Sequence, residues 1–196
     1  MKPRSQFPRG FKIEALTIAR DIRADLKLSP AHPLDPQALA DFLSIPILSL
    51  SAFRTDARSA YRAFSGRLRT QFSAVTVFDG PSRVIVHNDH HAPQRQRSNL
   101  AHELAHALLF HEPTPAINDR GAREWDSGLE AQASWLSAVL LVPDDAALRI
   151  VRQQLTVKDA AREYGVSELM MDFRIRACAA RRRVERSTAL MAHRNS

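Results

Sequence analysis

The apolar positions of the chain recur mostly at helical intervals, with one short break into strand-like alternation. Ile13, Leu16, Ala19, Ile22 and Leu26 form a stripe that predicts an amphipathic helix over residues 12–27. Asp35-Pro36 reads as the start of a second, short helix running to about Leu43, with Asp as cap and Pro in the first turn. Residues 45–48 (Ile-Pro-Ile-Leu) leave it as an extended segment, and the arginine-rich residues 51–70 predict a partly helical connection. Phe72-Ser-Ala-Val-Thr-Val-Phe78 and Arg83-Val-Ile-Val-His87 are β-rich runs around Asp79-Gly-Pro-Ser82, a hairpin signal. From Pro93 to His111 there is no internal proline or glycine, and Leu100, Leu104, Leu108 with Ala101, Ala105, Leu109 fall on rows spaced for burial. A strongly apolar helix follows from about Asp126 to Leu141 and another from about Pro143; Thr156–Arg183 reads as helix, turn at Gly165-Val166, and helix capped by Ser167. Runs of helix around one hairpin predict an α+β fold, mainly helical, with a small antiparallel sheet. We divide it into a domain at 1–150 and a C-terminal helix-turn-helix-like module with a basic tail at 151–196.

Composition narrows the class of protein without naming a function. At 196 residues, 44% hydrophobic and 25% charged, the chain can bury one good core with a small appended module. No apolar run is long enough for a transmembrane helix, and no apolar stretch follows the basic N-terminus as in a signal peptide. A single cysteine, Cys178, excludes an internal disulfide. These features predict a cytoplasmic protein. The net charge is +7, of which +6 lies from Arg149 onward, an asymmetry compatible with an acidic partner or nucleic acid.

The candidate chemistry is concentrated in His102-Glu-Leu-Ala-His106. Residues i and i+4 of a helix share a face, so His102 and His106 can aim two imidazoles at one point, as a tetrahedral zinc ion requires. Glu103 lies about 100° further round the helix, where a carboxylate can serve as general base. A catalytic zinc site needs a third protein ligand. Glu130, 24 residues beyond His106, is favoured because it is a lone carboxylate beside small residues on an apolar helix; Glu124 and Asp126 are the alternatives. His111, five residues past His106, falls about 140° round an ideal helix and is expected to point elsewhere.

The chain resembles the ImmA/IrrE zinc metallopeptidases, bacterial proteases that relieve transcriptional repression. The resemblance is carried by residues 10–40, by Phe72–Phe78, by Arg95-Gln-Arg-Ser-Asn-Leu-Ala-His-Glu-Leu-Ala-His106, and by Glu130-Ala-Gln-Ala-Ser-Trp-Leu through Leu140-Leu-Val-Pro143. It implies a gluzincin-like fold, Zn2+ held by His102, His106 and Glu130, Glu103 as catalytic base, and cleavage of a helix-turn-helix (XRE-type) repressor in a stress or mobile-element response. Many relatives have Glu where this chain has Gln132, and its length predicts that the sensor domain of the radiation-response members is missing. Arg123, Tyr61, His87, His90 and His91 are candidates for stabilising the tetrahedral intermediate. The substrate is expected to lie extended along the Arg83–His87 strand, adding to its free edge, with Val84, Val86 and Arg123 as contacts.

A different class of function attaches to the C-terminal module. Arg174, Arg176 and Arg181–Arg183 could meet phosphates, whereas Glu168 and Asp172, at the start of the second helix, would repel them. The alternative function is therefore a non-catalytic DNA- or repressor-binding regulator that retains a zinc site.

Overall fold

The computed structural model describes residues 7–80, 82–112 and 126–194. In chain order the elements are α1 (Phe11–Asp25), α2 (Pro36–Phe42), β1 (Ile47–Ser49), a 3-10 turn (Leu50–Phe53), α3 (Arg58–Ser65), β2 (Ala74–Asp79), β3 (Ser82–His87), α4 (Pro93–Leu108), α5 (Ser127–Leu141), α6 (Asp144–Arg152), α7 (Val157–Tyr164), α8 (Glu168–Ala177) and α9 (Ala180–Arg194). The fold is thus α+β and mainly helical. Local chemistry explains several of the starts. Asp35 accepts from the Gln37 N–H, Asp126 from Gly128 and Leu129, Thr156 from Asp159, and Ser167 from Met170, each satisfying a first-turn donor that has no partner within its own helix.

The sheet differs from expectation in two ways. Its order is β1-β3-β2, and it is mixed: β2 and β3 form the hairpin, but β1 runs parallel to β3 with Ile47 opposite Ile85. A hairpin is encoded locally by its turn, whereas the parallel partner arrives through a long connection and leaves no local signal. β3 is therefore the central strand, and β1 covers its second edge at Ile85–His87. The second difference concerns side-chain direction. Alternation places Ile85, which is 1% exposed, on the α4 side, so Val84 and Val86 point to the other face of the sheet. Val84 and Val86, expected as substrate contacts, thus lie on the face of the sheet away from α4.

Two apolar clusters share α4 and α5. The first joins Phe11, Ala15, Ala19 and Ile22 of α1 with Leu39, Ile85, Leu100, Leu104, Ala133, Leu136 and Leu140. The α1 face is thus set by Phe11 and Ala15, and Ile13, expected inside, is 72% exposed. The second cluster joins Ala101 and Leu141 to α6, α7 and α8 through Ala147, Ile150, Tyr164, Met171 and Ile175. Gly165 brings the two regions close: its φ is +61°, and a Cβ there would sit 2.8 Å from Arg97 Nε of α4.

α5 is buried around its C-terminal half, so its last carbonyls cannot find water. Two buried arginines from different helices supply donors instead. Arg23 of α1 donates to Leu140 O at 2.9 Å, and Arg174 of α8 donates to Val142 O at 2.8 Å and pairs with Asp144 at 2.8 Å. Burial lowers the Arg23 pKa to about 10. Arg174 is 1% exposed, so it cannot meet a phosphate, contrary to the reading of the C-terminal arginines. The C-terminal helices differ in a further respect. α8 ends at Ala177, Ala179 takes a left-handed conformation (φ 52°), and α9 begins at Ala180. A non-glycine residue in that conformation gives no sequence signal of a break.

Replacing Arg174 by Met keeps an apolar stem but removes the donor from a buried carbonyl. The expected loss is about 2 kcal/mol, seen as a fall of roughly 4–8 °C in Tm by thermal denaturation.

Candidate metal centre

α4 and α5 pack against each other and bring three side chains to one point. His102 and His106 lie one turn apart on α4, and Glu130 lies in the first turn of α5. His102 Nε2 and His106 Nε2 are 3.1 Å apart; Glu130 Oε2 is 3.1 Å from His102 Nε2, and Oε1 is 3.7 Å from His106 Nε2. Among the described residues, this trio forms a group able to hold a metal ion. The three side chains keep between 21% and 26% of their surface open, so the centre is partly exposed to solvent.

Each of these groups has an outer contact. Ser134, one turn beyond Glu130, places Oγ 3.5 Å from His102 Nδ1. His111 Nδ1 is 2.9 Å from His106 Nδ1. This corrects the expectation that His111 points away, and the reason lies at the helix end. α4 stops at Leu108, Phe110 takes φ 52°, and the His111 N–H donates back to His106 O at 3.1 Å. The chain folds back on itself, so an ideal-helix angle no longer applies. Burial lowers the His111 pKa, and a hydrogen bond from its ring to the Gln132 side chain acts against that shift.

Glu103 lies beside the trio and is not one of the grouped ligands. The Thr76 hydroxyl of β2 donates to Glu103 Oε2 at 2.6 Å, which holds the carboxylate toward the sheet. Thr76, Ser134 and the contact of His111 were missed from sequence. Thr76 and Ser134 reach their partners across 27 and 32 residues of chain, and His111 reaches His106 through the left-handed turn at Phe110; only the i,i+4 spacing of Ser134 from Glu130 hinted at a shared face.

Of the other expected site residues, Asp126, His91, Tyr61 and His90 have partners of their own. Asp126 caps α5 through its side chain, so it is engaged at the helix start. Arg123 and Glu124 lie outside the described residues. His91, buried, bonds Arg69 O through Nε2 at 2.9 Å, and Tyr61 and His90 contact each other at 3.4 Å. Burial lowers the His87 pKa, with Asp89 acting the other way.

The model of the peptidase M78 family, described as the IrrE N-terminal-like domain, matches residues 55–176, more than half of the chain and the whole of this centre. The chain belongs to this family. It is a metallopeptidase of the IrrE/ImmA type, acting on a protein substrate, with a His-His-Glu group that could hold its metal. No curated protein matches the chain.

His102→Ala and Glu130→Ala are each expected to abolish metal retention after dialysis while the protein stays folded. Elemental analysis and circular dichroism check this, and full metal occupancy in either variant would remove that residue from the ligand set.

Proposed function

We propose that the chain is a zinc-dependent endopeptidase of gluzincin type that cleaves a helix-turn-helix (XRE-type) repressor, relieving repression in a stress or mobile-element response. The observation that carries this reading is the meeting of His102, His106 and Glu130 with Glu103 held beside them. Two imidazoles and one carboxylate are a donor set suited to zinc. Bonds of about 2.0–2.1 Å in a tetrahedron set ligand atoms roughly 3.3–3.4 Å apart, near the 3.1 to 3.7 Å separations of the trio. Three protein ligands leave one position open.

When bound, the metal would acidify a water molecule and polarise the scissile carbonyl. In this proposal Glu103 takes the proton of the attacking water and later passes it to the departing amine. Thr76 keeps the Glu103 carboxylate in one orientation by donating to Oε2, leaving Oε1 for the water. Arg123 remains a candidate contact to the substrate.

The proposed substrate track is β2. The Asn88 N–H bonds Ser73 O, and the two-residue turn closes on the pair Asp79–Ser82, so the odd-numbered residues of β2 bond β3. Ala74, Thr76 and Phe78 therefore direct their N–H and C=O groups outward, and no strand among the described residues covers that edge. An unfolded or frayed segment of the target can add there as a strand beside Glu103. No helix of the described residues is long and apolar enough to cross a membrane, and the proposed target places the protein in the cytoplasm. Nucleic-acid contact through the C-terminal basic face has weaker support. Arg176 pairs with Asp172, Arg183 with Asp144, and Arg174 is inside the protein.

Zinc-loaded protein incubated with helix-turn-helix repressors of its host is expected to produce new termini, identified by mass spectrometry. Glu103→Gln should keep zinc and produce none; unchanged cleavage by that variant removes this mechanism. Ala74→Pro takes away one outward N–H without touching the β2–β3 ladder. It is expected to raise KM several-fold with little change in kcat, and an unaltered KM would count against the β2 track.

A further inference from the structure

We propose that His111 and Gln132 are positioning residues that fix the ring of His106 for metal binding, through the relay His106 Nδ1–H to His111 Nδ1 and His111 Nε2–H to the Gln132 carbonyl. The proposal rests on the metal-centre reading above and extends it past the ligands.

A neutral imidazole carries one proton on two nitrogens, so the nitrogen that binds metal must be the bare one. His106 turns Nε2 toward His102 and Glu130, which places its proton on Nδ1. That N–H needs an acceptor in a partly closed setting. His111 Nδ1 stands 2.9 Å away, with the two rings 4.9 Å apart and inclined at 69°. To accept there, His111 must itself carry its proton on Nε2, and the Gln132 side chain hydrogen-bonds this ring. The Gln132 amide offers both an acceptor oxygen and a donor NH2, so it can take up the Nε2–H of His111, and the direction of the relay is set by the metal's need for a bare Nε2 on His106. The reverse direction would put the His106 proton on Nε2, where the metal must bind.

The surroundings favour a held geometry. His111 is 9% exposed, and its backbone N–H is tied to His106 O by the left-handed turn at Phe110. Gln132 sits on the same helix as Glu130, so one element supplies both the third ligand and the end of the relay. Among the described residues, His102 Nδ1 has the longer contact to the exposed Ser134 hydroxyl, so His106 is the ligand held the more closely from behind.

The test separates the relay from simple packing. His111→Phe fills the space and offers no acceptor; His111→Asn is smaller but places an amide oxygen near the position of Nδ1. The relay predicts that His111→Phe weakens zinc binding about 10–100-fold, measured by competition with a chelator, and that His111→Asn restores most of it. The Co2+-substituted spectrum should shift in the Phe variant and return toward wild type in the Asn variant. Packing alone predicts the opposite order, and that order overturns the proposal. If His111→Phe does not fold, Gln132→Leu decides, with several-fold weaker zinc binding expected and wild-type affinity overturning the relay. A wild-type protein that fails to hold zinc would instead overturn the metal-centre reading beneath it.

Discussion

The position of α5 against α4 is the constraint on which the centre depends. Two of the three ligand side chains share one helix, so their spacing is set by the helical repeat. The third comes from another helix, and its distance is set by packing alone. α5 is fixed from both ends: Asp126 caps its first turn, four residues before Glu130, and Arg23 and Arg174 satisfy the carbonyls at its buried end. A helix end closed off from water is stable only with such partners, so two buried cations far from the centre take part in holding Glu130 in place.

α4 is the hub of the remaining contacts. It gives Leu100 and Leu104 to one apolar cluster, Ala101 to the other, and Arg97 to Leu34 O and the Gly165 turn. What remains of its surface carries His102, Glu103 and His106. Each of these is met by a residue from a different segment: Ser134 on α5, Thr76 on β2, and His111 in the turn after α4. Two ligands and the carboxylate beside them are therefore each contacted from a different part of the fold, which limits their freedom before any ion arrives.

Much of this was readable from residues alone, because the physics involved is local. The pairing of His102 with His106 follows from helical periodicity, the β2–β3 hairpin from its turn, and the starts of α2, α5, α7 and α8 from their caps. Glu130 stood out as an ionisable group in an apolar helix, which demands a partner. His111 was misplaced because Phe110 is left-handed without being glycine, and the break before α9 escaped for the same reason at Ala179. The burial of Arg174 could not be read because an arginine on a helix looks solvated until its neighbours are known.

The sequence by itself determined which elements form and which chemical groups they carry, since propensity, capping and periodicity act over a few residues. Only the tertiary structure decided the strand order, and with it that β2 lies at an edge of the sheet among the described residues. It alone brought Thr76 to Glu103 and Ser134 to His102, because contacts between distant segments depend on how whole faces pack, and packing has no short-range signature.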